Sequence, residues 1–222
     1  MSIVEKVEKN SVAKELEAIK QLRLECLLQQ RHSEFIDIMY RNFGLEQRPS
    51  NISIRFKRGN YDGMLFVDRS KYSIGINEKF SKEPLEENLG IELIAPHETA
   101  HYLHALRQSE FYVNDYRSLT DKEIRYKERI AELASLIFLD ESGRGGAKKY
   151  WSLNWECAGK PMDNGRPYLN KPEVVVCTWS SNMDNMKLAK ERLKVMASIS
   201  RAEFELMSDH DLLHEVVLFN GD

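Results

Sequence analysis

His97-Glu98-Thr99-Ala100-His101 lies inside a strongly apolar stretch of helical spacing that runs from about Leu85 to Leu106. On a helix, residues four apart stand about 40° apart and one turn displaced. Both imidazoles can therefore reach one ion. Glu98 is turned about 100° from His97, toward a fourth, water-bearing position. There a carboxylate can take a proton from water and pass it to a leaving amine. The spacing predicts Zn2+ held by His97 and His101, with Glu98 as general base and then general acid. The plain alternative is two surface histidines with an incidental glutamate; the helical, apolar context and the strands before it favour the metal.

Pro96 directly precedes His97. Proline inside a helix costs ~3 kcal/mol and kinks it. Either the helix begins near Pro96, where proline is tolerated, or a longer helix bends there.

Working outward, Ile3 to about Phe43 repeats apolar residues at helical spacing and reads as one or two helices with a break near His32-Ser33, stopped at Gly44. Ile52–Phe56, Met64–Asp68 and Tyr72–Asn77 read as three short strands joined by turn material, and predict an antiparallel meander. After a polar connection, Thr120 or Asp121 caps a helix running to about Asp140, ended by Gly143-Arg144-Gly145-Gly146. Tyr150 to Thr178 is irregular, with one strand-like run at Val174–Cys177; Asn182–Ser198 and Ser208–Phe219 read as helices. The expected fold class is α+β: a small antiparallel three-stranded sheet packed on the HExxH helix and a second, glutamate-bearing helix, with helical N- and C-terminal extensions. The divisions fall at residues 1–48, 49–142 and 143–222, or all three form one compact domain.

Of 222 residues, 32 are basic and 35 acidic, for a net charge of −3, which leaves no clear nucleic-acid footprint. No apolar run approaches the roughly 20 residues that span a bilayer. Met1–Asn10 has no apolar signal core, and Cys26, Cys157 and Cys177 suit a reduced compartment. The expected location is cytoplasmic, with no membrane partner; composition leaves the oligomeric state open.

Two histidines need a third protein ligand. The metzincin arrangement would put histidine at 107 and glycine at 104, where this chain has Arg107 and His104. His104 itself lies seven after His97, a turn too far along a straight helix for three in a row to share one ion comfortably. The helix Asp121–Asp140 offers Glu123, Glu128 and Glu132. Ala131, Ala134 and Ser135 lie on or near the Glu128 face, and small residues let two helices approach closely. Glu128, Glu132 and His104 thus stay open as the third ligand, with Glu128 first.

The order helix, three strands, HExxH helix, connection and glutamate helix resembles a minimal gluzincin, and most closely the ImmA/IrrE group of metallopeptidases. The second half of that group's pattern, Glu-x-x-Ala-x-x-(Phe)-Ala, corresponds to Glu128-Arg129-Ile130-Ala131-Glu132-Leu133-Ala134-Ser135, with Ala134 and Ser135 in place of its aromatic and small residues. The likeness covers about Asn51 to Asp140 and implies that Glu128 completes the zinc site of an endopeptidase. Some members of the group cleave a DNA-bound repressor; no helix-turn-helix segment is evident here. The expected activity is zinc-dependent hydrolysis of a protein or peptide, including a regulatory protein as substrate. The rival is a non-catalytic regulatory or partner-binding protein on a zincin scaffold, and a third reading is a helical adaptor that binds no zinc.

Several further residues carry expectations. The strand Tyr72–Asn77 is either the cleft rim that pairs with an extended substrate or a plain edge. Tyr102, Tyr112, Tyr116 and Tyr126 are candidates to stabilise an oxyanion, each against an ordinary packing role. His210 and His214 form a second i, i+4 pair, read mainly as a surface helix. Cys26 reads as a packed small hydrophobe rather than an inhibitory ligand. Lys187 to Lys194 reads as a solvated helix face.

Overall fold

The computed structural model describes residues 3–69, 71–84, 88–112, 119–144 and 183–208. The Val174–Cys177 run, the helix expected over Ser208–Phe219, the His210/His214 pair, Tyr116, Cys157 and Cys177 lie wholly or almost wholly outside these residues. The fold is α+β, as the sequence predicts.

Helix α1 spans Ile3–Met39 without a break. Its inner face repeats at 24, 28, 32, 35, 36 and 39, and Leu24, Leu28, Phe35, Ile36 and Met39 are buried there. No break occurs at His32 because that side chain lies on the same inner face and is satisfied. Its Nδ1 is 2.9 Å from the Thr99 hydroxyl, and its Nε2 accepts the Ile52 N–H at 3.1 Å. A short 3₁₀ turn, Tyr40–Phe43, follows, and Gly44 ends it at φ +71°.

Strands β1 (Ser53–Lys57), β2 (Gly63–Asp68) and β3 (Lys71–Asn77) form a sheet in the order β1-β3-β2. β2 and β3 make the expected antiparallel hairpin, pairing Leu65 with Ile74. The meander fails at the other pair: β1 runs parallel to β3, with Ile54 opposite Ile74. The reason lies in residues 58–62, which are too many for a tight turn and instead arch across the end of β3. Asn77 holds the arch from below, donating its side-chain amide to the carbonyls of Gly59 and Tyr61 at 2.8 and 2.7 Å and its main-chain N–H to Asp62. The inner face of the sheet, Ile54, Ile74 and Ile76, is buried against the helices.

The chain enters the motif helix through a π turn, Gly90–Ile94, anchored by buried Asn88, whose amide donates to the Phe80 carbonyl at 2.7 Å. Helix α2 then runs Ala95–Arg107 with Pro96 in its first turn. Pro96 is therefore both near a helix start and preceded by helical backbone. The wider turn before it eases the clash a proline makes one turn back. Helix α3 spans Asp121–Glu141, capped by a reciprocal box between Thr120 and Glu123. Its small residues Ala131, Ala134 and Ser135 are buried, and α3 packs along α2. Helix α4 (Met183–Ser198) lies on α3, where the Tyr126 hydroxyl donates to the Met196 carbonyl. A short helix α5, Arg201–Leu206, comes next with its own Ser200/Glu203 box. It buries Phe204 against Phe111 and Tyr126 at 5.3 and 5.1 Å between ring centres.

Candidate metal centre

His97 and His101 stand one turn apart on α2, and α3 brings Glu128 against them. The Nε2 atoms of the two histidines are 3.2 Å apart. Glu128 places Oε2 at 3.0 Å from His97 Nε2 and Oε1 at 3.4 Å from His101 Nε2. Ligands about 2.05 Å from a tetrahedral zinc ion stand roughly 3.3 Å from one another. The contact between the histidines and the two histidine–carboxylate contacts, which run to different oxygens of Glu128, lie close to that spacing, and two imidazoles with one carboxylate form a donor set that zinc accepts. Among the described residues this is the group of His, Cys, Asp and Glu side chains whose ligand atoms gather closely enough for an ion, all within 4.8 Å.

The three side chains are strongly coupled electrostatically. Burial alone would push the Glu128 carboxyl up, but the charges and hydrogen bonds of His101 and His97 overcome it and hold the group well below the ordinary carboxylate range. Burial pulls His97 down, and the hydrogen bond and charge of Glu128, with the charges of Glu98 and Glu132, overcome that and raise it. A metal ion bound there would replace the proton that these groups share, so its binding would release protons.

Glu98 points to the start of β2. Its carboxylate accepts the Leu65 N–H, and burial pushes its pKa up, against the opposing charges of His101 and His97. A raised carboxylate is what a general base near neutral pH needs. Gly63 makes this position possible: a Cβ there would lie 2.6 Å from Glu98 Cγ, 2.7 Å from its Oε1 and 2.4 Å from Ile94 Cγ2.

The other expected site residues separate. Glu123 serves the α3 cap and pairs with Arg201. Glu132 lies outside the close group, contributing its charge to His97. His104 is fully buried with Nδ1 at 3.0 Å from the Tyr112 hydroxyl, away from the ion site. Tyr102 and Tyr126 spend their hydroxyls on the carbonyls of Ser50 and Met196. Cys26 is exposed on α1, neither packed nor near the site. Lys190 of the basic stretch pairs with Glu141, while Lys187 and Lys194 are exposed. The substrate-pairing role expected of Tyr72–Asn77 is overturned, because β3 is the central strand with both edges taken. The edge strand next to α2 is β2. Sequence reading missed Gly63 and the Leu65 N–H. Glycine in the turn Gly59–Gly63 signals only a turn, and the approach of Glu98 depends on packing across 35 residues.

No family model, curated protein or solved structure matches the chain.

Proposed function

We propose that the chain is a zinc-dependent endopeptidase of the gluzincin type, acting on a protein or peptide. One observation carries the reading: the Nε2 atoms of His97 and His101 stand 3.2 Å apart, with the two oxygens of the Glu128 carboxylate 3.0 and 3.4 Å from them. They would hold the zinc ion, which when bound supplies Lewis-acid polarisation of a carbonyl and lowers the pKa of water. Glu98 takes the proton of the attacking water on a carboxylate oxygen. It then delivers that proton to the amine nitrogen as the peptide C–N bond breaks. The Leu65 N–H steadies the carboxylate between these two tasks. Gly63 leaves room for the base beside Glu128 and the two histidines.

The rival, a partner-binding protein on a zincin scaffold, has no use for Glu98. Its burial beside the site, under a glycine that accommodates it, supports turnover. No described helix is long and apolar enough to cross a membrane; a cytoplasmic location, and a regulatory protein as substrate, belong to this proposal. The test is metal content of the purified protein beside His101→Ala and Glu128→Ala. One zinc per chain, lost or much weakened in both variants, supports the site and justifies a substrate search with Glu98→Gln as the inactive control. No zinc in the parent after adding it back sinks the reading. Zinc retained by Glu128→Ala but lost in His101→Ala overturns Glu128 as the third ligand.

A further inference from the structure

His104 is an expensive residue to keep where it is. It is 0% exposed, its ring stacks on Phe111 at 5.9 Å and stands edge-on to Tyr126 and Tyr112. Its Nε2 is buried without a hydrogen-bond partner among the described residues. Such an orphan carries a desolvation penalty that a leucine would avoid. What His104 does have is one polar contact, Nδ1 to the Tyr112 hydroxyl at 3.0 Å. The same hydroxyl is 3.2 Å from Nδ1 of His101. Lys127 lies over the Tyr112 ring at 4.7 Å and donates to the Phe111 carbonyl, so the ring is held from its face as well.

A tyrosine hydroxyl has one proton to donate, and each neutral imidazole has one N–H and one bare nitrogen. The hydroxyl therefore donates to one histidine and accepts from the other, in one of two orders. His101 turns Nε2 toward Glu128 and His97, so a metal there needs that nitrogen bare and the proton on Nδ1. His101 Nδ1–H then donates to Tyr112 Oη. The Tyr112 O–H is left for His104 Nδ1, and the His104 proton sits on the orphaned Nε2. Burial keeps His104 neutral, with Nδ1 free to accept.

We propose that Tyr112 and His104 are positioning residues for the metal centre: Tyr112 locks His101 in the ligating tautomer and orientation, and His104 aims the Tyr112 hydroxyl. This rests on the zinc reading above and deepens it. It also removes Tyr112 from the oxyanion candidates, because its proton is committed to His104.

Zinc affinity, measured by competition with a chromophoric chelator, tests the relay in the parent, Tyr112→Phe, His104→Leu and His104→Gln. Loss of an outer-sphere partner typically weakens metal binding by about 10–100-fold, and that range is expected for Tyr112→Phe. His104→Leu is expected to lose about tenfold. His104→Gln, whose carbonyl can accept the tyrosine proton, is expected to stay within about threefold of the parent. The visible band of the cobalt-loaded protein should shift in the first two variants and return in the third, a pattern that a packing role would not produce. The metal-free His104→Leu protein should melt no lower than the parent. A parent that binds zinc while Tyr112→Phe and His104→Leu bind it equally, with unchanged cobalt bands, overturns the relay alone. A parent that binds no zinc overturns the relay together with the metal site.

Discussion

Glu128 Oε2 lies 3.0 Å from His97 Nε2 although 31 residues separate them in the chain. The contact joins α2 to α3 at one point, and a metal there would join them more firmly. Zinc that binds only the folded form stabilises it by about 2.7 kcal/mol at a hundredfold excess over Kd. For a chain of this size that raises Tm by roughly 5–10 °C. Thermal scans with zinc and with a chelator measure it, and Glu128→Ala should abolish the difference. Equal melting of the parent in both conditions would count against a folded-state metal site.

Gly63 leaves no room for a methyl group beside Glu98. Gly63→Ala is expected to displace the Glu98 carboxylate while leaving His97, His101 and Glu128 in place. A misplacement of about 1 Å can cost ~100-fold in rate. Hydrolysis should fall by about that factor with zinc affinity nearly unchanged. Parent-like turnover would show that Glu98 is not placed by this contact.

His32 gives stability a definite slope with pH. Burial, aided by the nearby Arg48, lowers its pKa from 6.5 to about 4. The unfolded chain therefore binds the proton first as pH falls. The contribution is fully present above about pH 6.5 and is lost progressively down to about pH 4, roughly 3 kcal/mol in all. Urea titrations of the parent and of His32→Gln across that window should converge toward acid. Parallel curves would show that the ring is not kept neutral by folding.

Arg31 on α1 pairs with Glu34 and with Glu92 in the π turn, and Arg144, just beyond α3, reaches the same two carboxylates. Arg31 and Glu92 have side chains only 12% and 14% exposed, so desolvation weighs on each charge. Removing one member leaves the others poorly compensated. Glu92→Ala is expected to cost about 3 kcal/mol by urea unfolding. A change under about 0.5 kcal/mol would place the cluster among exposed pairs of little worth.

The range of each signal decides how much was legible in the chain. The HExxH spacing, the capped helix from Thr120 and the inner face of α1 are periodic over a few turns, so local reading finds them. Glu128 could be favoured because a third ligand was needed, Ala131 and Ala134 marked a close helix contact, and the resemblance to the ImmA/IrrE pattern put a ligand at that position. Strand partners are another matter. Ile54 faces Ile74 in parallel because Asn77 supports an arch over β3, and no alternation within a strand reports its neighbour. Helix α5 was missed because it is six residues long and its Ser200/Glu203 cap precedes little apolar repeat. Tyr112 could be nominated but not assigned, since its role depends on two histidine nitrogens meeting one hydroxyl.

The π turn at Gly90–Ile94 holds about one residue more than an α turn of the same span. In evolutionary terms it behaves as a single-residue insertion that sets phase. Deleting one residue there would let the segment close as plain α-helix, but would rotate α2 by about 100° relative to the Asn88 anchor. His97 and His101 would swing off Glu128 while the helix stayed intact. Such a chain would still spell HExxH, with its two histidines facing the wrong neighbour.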